Sequence, residues 1–548
     1  MRPLLAAFAA LGLSALILAG CKPERPLRAS CPAHSLCLEA GNVSEPVSLD
    51  PPKTTGTWED RIMGDTTIGL TQSSAAGRPV PGMATSWDVS PDGLVWTFHL
   101  RKALWSDGVP VTANDFVFSL RRLMDPRTAS EYAYLLYFIR NAEAVNEGKA
   151  PLSALGVAAL DDHTLQLTLT HPVPYLPEIG KHQTFYPTPQ HVVERWGDAW
   201  SRPEHYVSNG PFKLARWAFG DHITVVKNPL FYDARSVCLD QIDYYPTSDA
   251  IAAERRVRRG ELDTNADIQS NRIAFLRQPD QIPAYVHTHT YLGVAYLAFN
   301  SRDVAAFRDR RVRLALDMAI DRDFITRKLL RGGQVPAYTF TPPAVANYQP
   351  PPPPVWAGWP IERRQAAARA LLAQAGYGPG HPLKIEIKHR NSPDPTLFMP
   401  AVQADWKAIG VTATLAQEEV QIAYQDYRLR NFQVGDAAWI ADFNDAMSFL
   451  GLQQSQTGAQ NYGDYDNPTY DALLAKADNE PDLGKRAAYL AKAEAIMLAD
   501  APVAPVYFYI TKNLVNPNVT GFVDNAVDQH RARYLCFKGH GAAAPSGE

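Results

Sequence analysis

Between residues 94 and 125 a strand, a tight turn and a capped helix follow one another, and this unit constrains the fold more than any other stretch of the chain. Val95-Trp96-Thr97-Phe98-His99-Leu100 is rich in β-branched and aromatic residues, which suits a half-buried strand. Ser106-Asp107-Gly108-Val109-Pro110 breaks it, and Thr112 with Asp115 three residues on is a near capping box that opens a helix over 113–121. Helical stretches alternate with short apolar runs along most of the chain, so the expected class is α/β, layers rather than a helical bundle or a sandwich. The clearest helix is 361–375, where Ala367, Ala370, Leu371 and Ala375 recur at three- and four-residue spacing and Gly376 is placed as the C-terminal cap. Two more helices are expected over 470–477, opened by Asn467-Pro468, and 483–498. Five consecutive prolines, Pro350 to Pro354, make a stiff extended surface segment.

At the start of the chain, Arg2 precedes the mostly apolar run 4–19, too short for a comfortable membrane span and suited to a secretory signal core. Leu18-Ala19-Gly20-Cys21 completes a bacterial lipobox, so a lipid on a new N-terminal Cys21 is expected; the alternative is cleavage without lipid. Lys22-Pro23-Glu24-Arg25-Pro26 has the composition of a flexible spacer. No later segment is expected to span a membrane, and a formal net charge of −4 argues against a nucleic-acid surface. Of five cysteines, Cys21 is taken by the lipid, which leaves Cys31, Cys37, Cys238 and Cys536, an even number with three possible pairings. The Cys31…Cys37 spacing is not that of a zinc knuckle, and neither a metal nor a cofactor is expected. The chain has no Gly-x-x-x-x-Gly-Lys phosphate loop, no Gly-x-Ser-x-Gly and no His-Glu-x-x-His, so it is read as a binding protein rather than an enzyme.

Ser86-Trp87, Trp96-Thr97-Phe98-His99-Leu100-Arg101 and Trp105-Ser106-Asp107-Gly108 together closely resemble the periplasmic oligopeptide-binding proteins, the receptors of peptide importers. The resemblance continues in order through Ser48-Leu49-Asp50-Pro51, Asp125-Pro126, Asp161-Asp162-His163-Thr164-Leu165, Gly260-Glu261-Leu262-Asp263 and Ala504-Pro505-Val506-Tyr507, and covers about residues 38–538. It implies a periplasmic-binding-protein-like class II fold, with two lobes closing over a cleft and three domains. These are a discontinuous domain I (37–67, 192–292 and 509–548), domain II (68–191) and domain III (293–508), after a signal peptide (1–20) and an anchor spacer (21–36). That layout favours Cys238 paired with Cys536, and Cys31 with Cys37. Together with the lipobox it implies a lipid-anchored monomer at the periplasmic face of a bacterial membrane, which captures oligopeptides and delivers them to the permease and ATPase subunits of an ABC importer. Other readings of the same scaffold are a binding lipoprotein for a modified peptide or another cationic solute, and a sensor or chaperone-like role.

A receptor for varied peptides must hold what all peptides share, the main chain and the charged ends, which calls for strand addition and a carboxylate to meet the ammonium. The segment 432–442 matches the family's ligand strand: Asp442 aligns with the aspartate that takes the ammonium and Trp439 with a pocket-lining tryptophan, while Ala438 and Ile440 share the face of Asp442 on a regular strand. Tyr132, Asn265, Tyr296 and Tyr291 are carried over by their flanking motifs as cleft residues, and 53–57 as a cleft-lining segment with Thr55 where an acid is common. The family's frequent disulfide across these strands is absent, with Gly293 and Ile440 at both cysteine positions. Asp436 stands where well-known members carry an arginine that meets a peptide carboxylate. On a regular strand Asp436 lies ~20 Å from Asp442. Facing the cleft, it would repel a carboxylate 4 Å away by ~4 kcal/mol at an effective dielectric of 20. The expectation is therefore a preference for longer or cationic ligands, with His389, Arg390, Arg428 or Arg430 as other carboxylate partners.

Overall fold

The computed structural model describes residues 31–540, so the signal segment and Cys21 lie outside the described residues. Three sheets of four or more strands organise it. A seven-stranded mixed sheet runs Val286–His287, Asn513–Val515, Thr264–Asn265, Cys37–Gly41, Gln241–Tyr245, His222–Lys227 and Phe212–Ala218. Its strands come from three separate stretches of sequence, and the parallel pairing of Cys37–Gly41 with Gln241–Tyr245 joins residues some two hundred positions apart.

An antiparallel sheet of four strands, Ala84–Val89, Val95–Leu100, Thr164–Thr168 and Val157–Asp161, carries the strand of the strand–turn–helix unit at 94–125. Val95–Leu100 forms as expected, with Trp96, Phe98 and Leu100 buried on one face, as a period of two requires. The helix after it, Ala113–Met124, runs three residues past the expected end, and the Thr112 backbone N–H donates to the Asp115 carboxylate at 2.8 Å.

The third sheet runs Val335–Pro336, Val503–Ile510, Thr290–Phe299, Val434–Ile440, Lys384–Arg390 and Thr412–Glu418. Thr290–Phe299 lies inside it and is covered on both faces: Leu292, Val294, Tyr296 and Ala298 pack into one apolar cluster, and Ala295, Leu297 and Phe299 into another. The helix Ile361–Gln374 packs against the helix Arg310–Ala319, and its fully buried positions are Arg364, Ala368 and Leu372; Ala370, expected inside, is exposed. The buried stripe is set by the (i, i+4) row that meets the neighbouring helix, about one residue round from the apolar stripe in the sequence. Pro468–Asp478 and Leu483–Asp500 are the two later helices.

Two strands pass side by side from one sheet to another, since His287 pairs with Asn513 in the seven-stranded sheet and Thr290 with Ile510 in the six-stranded one. Disulfides join Cys31 to Cys37 and Cys238 to Cys536, the pairing that the resemblance favoured. Among the described residues no helix is long and apolar enough to cross a membrane.

Candidate functional site

A cavity of about 450 Å³ opens beside these crossing strands, and widely separated parts of the chain wall it. Thr55, Asp60 and Arg61 come from the first helix, Thr57–Thr66, and its approach; Tyr132, His182 and Gln183 from the side of the four-stranded sheet. Tyr291, Ile440, Asp442 and Tyr509 come from strand ends of the six-stranded sheet, and Lys512, Asp528 and Arg531 from the C-terminal stretch.

Asp442 follows the strand Val434–Ile440 and keeps an open carboxylate. Its backbone N–H is fixed by Ser448 Oγ at 3.1 Å. The Tyr132 hydroxyl donates to Oδ1 and the Tyr134 hydroxyl to Oδ2, both at 3.3 Å, and no Lys, Arg or His among the described residues lies within ion-pair distance. Burial without a cation pushes its pKa up to about 7, despite the two hydroxyls, which work in the opposite direction. The side chain is thus a desolvated acid with two hydroxyl donors and, among the described residues, no cation at ion-pair distance.

Other charges in the cavity are mostly settled. Asp60 is held by Arg531 Nη2 at 2.9 Å, and Lys512 Nζ lies 3.3 Å from Asp267. Asp528 accepts from Asn513 Nδ2 at 2.7 Å and sits 3.0 Å from His530 Nε2. His182 is kept neutral by burial, which lowers its pKa to about 4.

Of the residues expected at the site, Tyr132, Tyr291, Ile440 and Asp442 line this cavity, as do Thr55, Gly56 and Thr57 from the segment read as cleft-lining. Gly293 and Ile440 face each other across their strand pair, and the Ile440 side chain occupies the space over the glycine. Ala438 and Trp439 are half-buried on the same strand but do not line the cavity, and Trp439 Nε1 donates to Ser448 Oγ at 3.4 Å.

Three expectations are corrected. Asp436 is no second open acid: it is fully buried, and Arg390 from the adjacent strand grips it, Nε to Oδ2 at 2.9 Å and Nη2 to Oδ1 at 3.2 Å. Arg390 also donates to the Tyr424 hydroxyl at 3.0 Å, so the sign reversal at position 436 is cancelled locally. Asn265 is sealed behind Gly41, where no Cβ would fit; its Oδ1 accepts from Thr247 and its Nδ2 donates to the Asp267 carbonyl. Tyr296 is core, edge-on to Phe340 at 5.1 Å, because the strand that carries it is covered on both faces. Of the other suggested carboxylate partners, Arg430 is paired with Asp464 at 2.6 Å and His389 is buried, while Arg428 is exposed.

Asp60, Arg61, Lys512 and Arg531 were not foreseen. Thr57, Asp60 and Arg61 share the (i, i+3, i+4) spacing of one helix face directly after the segment 53–57, which was a usable signal for the first two of these charges.

The walls also touch beside the cavity. The Tyr175 ring, from the four-stranded side, stacks on Phe443 at 5.3 Å, and Arg486, held by Asp445 at 2.7 and 2.9 Å, lies 4.5 Å above the same ring. On the opposite flank Ser270 donates to Asp394 at 3.0 Å and accepts from Gln334 at 2.9 Å.

The family model for bacterial extracellular solute-binding proteins, family 5 (middle), matches residues 78–461. The chain is 37% identical over 494 residues to the periplasmic oligopeptide-binding protein OppA of Escherichia coli K12, covering 89% of this chain and 90% of that one. The structure of the Escherichia coli murein tripeptide binding protein MppA is similar with a TM-score of 0.82 at 36% identity, over 92% of this chain and 99% of that one. Haemophilus influenzae OppA in complex with RPPGFSPFR gives 0.80 at 33%, over 92% and 99%.

Proposed function

The chain belongs to family 5 of the bacterial extracellular solute-binding proteins, and from that premise we propose that it is a receptor that captures oligopeptides in the cavity at Asp442 and delivers them to an ABC importer. The observation that carries this is the Asp442 carboxylate, desolvated and met by two tyrosine hydroxyls but, among the described residues, by no cation. A peptide ammonium supplies the missing charge, and a charge-assisted bond in a poorly solvated site is among the stronger polar contacts available. Tyr132, Tyr291 and Ile440 wall the first residue of the ligand, and Thr55 to Thr57 lie alongside its backbone.

Three domains follow the three sheets in this reading: 37–67 with 192–292 and 509–540 around the seven-stranded sheet, 68–191 around the four-stranded sheet, and 293–508 around the six-stranded one. The crossing strands near His287 and Asn513 serve as the hinge, and closure brings Tyr132 and Tyr134 onto Asp442. A lipid on Cys21 holds the monomer at the periplasmic face of the membrane, and the spacer lets it reach its importer.

Native mass spectrometry of the protein as purified weighs a bound ligand directly, and calorimetry then compares wild type with Asp442→Asn for that ligand. Loss of one partner from a desolvated ion pair costs ~3–5 kcal/mol, so affinity should drop by at least about a hundredfold. Unchanged affinity removes Asp442 from the ligand site.

A further inference from the structure

The cavity holds one arginine without a counter-ion. Arg61, on the helix Thr57–Thr66, lines the wall and is partly exposed, and among the described residues no carboxylate lies within ion-pair distance of it. Its guanidinium makes one side-chain hydrogen bond, Nη1 to Asn42 Oδ1 at 2.7 Å, to a neutral acceptor. A guanidinium carries five N–H donors in a planar fork that matches a carboxylate, so most of its capacity is open. The nearby acids are already supplied with donors: Asp60 by Arg531 and the Tyr186 hydroxyl, Asp267 by Lys512, and Asp528 by Asn513 and His530.

Resting on the peptide reading above, we infer that Arg61 is a specificity-determining residue that receives a ligand carboxylate, so that the preferred peptides carry an acidic side chain at their first or second residue. Asp442 and Arg61 are the acid without a cation and the guanidinium without an anion in a single cavity of about 450 Å³, and one ligand segment with an ammonium and a nearby carboxylate satisfies both. An extended peptide advances ~3.4 Å per residue, so within a space of this size the acid belongs beside the amino terminus rather than at the far end of a long peptide. A neutral ligand that fills the cavity leaves the Arg61 fork desolvated and unpaired, which counts against it.

The test is calorimetry on the full chain with two peptide pairs that differ in one carboxylate: Asp-Ala-Ala-Ala against Asn-Ala-Ala-Ala, and Ala-Glu-Ala-Ala against Ala-Gln-Ala-Ala. The acidic member of at least one pair should bind wild type about tenfold or more tightly. Arg61→Gln should bring that ratio to within about twofold, and Arg61→Lys should retain part of it. A wild-type ratio near one in both pairs overturns the inference, as does a preference that survives in a folded Arg61→Gln. The wild-type ratio needs no variant, so a misfolded Arg61→Gln does not shelter the proposal. If none of the four peptides binds, the peptide reading itself fails and this inference with it; equal binding of all four removes Arg61 alone.

Discussion

Arg390 grips Asp436 through two hydrogen bonds from the neighbouring strand, with both side chains at least nine-tenths buried. The pair turns a reversed charge into a locally neutral unit within the six-stranded sheet.

Asp436→Asn should therefore act on stability. It strands a buried guanidinium, which typically costs ~3–5 kcal/mol, and chemical denaturation should show that loss. Asp436→Arg, which sets two guanidinium groups together, should be worse. The double change Arg390→Met with Asp436→Leu should recover much of the loss, because a buried pair replaced by apolar groups of similar volume is often neutral.

Binding should depend on pH through Asp442. Its carboxyl titrates at about 7 in the unliganded fold, above its unfolded value, so the folded state holds this proton more tightly than the unfolded chain. Its contribution to stability accordingly declines as pH rises from about 4 towards 7. An ammonium ligand needs the ionised form. Affinity should climb as pH rises through about 7 and fall again above about 8, where a peptide amino group loses its proton. Calorimetry across pH checks this, and at pH 6 complex formation should release a proton; in Asp442→Asn the acidic limb should vanish.

Tyr175→Ala should loosen the contact beside the cleft. It removes the stack on Phe443 and the cation–π contact with Arg486, together worth ~1–3 kcal/mol. Scattering should report a larger radius of gyration without ligand, and peptide affinity should fall by about tenfold.

Replacing Cys238 and Cys536 by alanine should lower stability by ~2–5 kcal/mol, since that bridge closes a loop with a sequence separation of 298. A melting temperature equal to that of the oxidised wild type contradicts this.

What could be read in the sequence followed local periodicity. Val95–Leu100 and Ala113–Met124 are specified by residues within a turn or two of themselves, whereas Asp442 was singled out by the resemblance of 432–442 to the family's ligand strand and not by periodicity. The fates of Asp436, Asn265 and Tyr296 depended on groups far away in the chain. Arg390 precedes its partner by 46 residues, Thr247 precedes Asn265 by 18, and the second covered face of Thr290–Phe299 exists only once the sheet is assembled. The charged half of the cavity was hidden for the same reason: Arg531 reaches Asp60 across 471 positions, a distance at which no spacing rule operates.

In the seven-stranded sheet Asn513–Val515 lies between Val286–His287 and Thr264–Asn265, so a strand close to the carboxyl end is an interior member. A chain emerging amino end first can complete its four-stranded sheet, and all of the six-stranded one up to Val503–Ile510, before that strand arrives. Until then Val286–His287 has no neighbour, and the cavity lacks the wall that holds Lys512 and Arg531. Arrival of the last stretch is thus the step that completes the cavity wall. A chain that ends at Ile510 carries every strand of the four- and six-stranded sheets and lacks the side of the cavity formed by Lys512, Asp528 and Arg531.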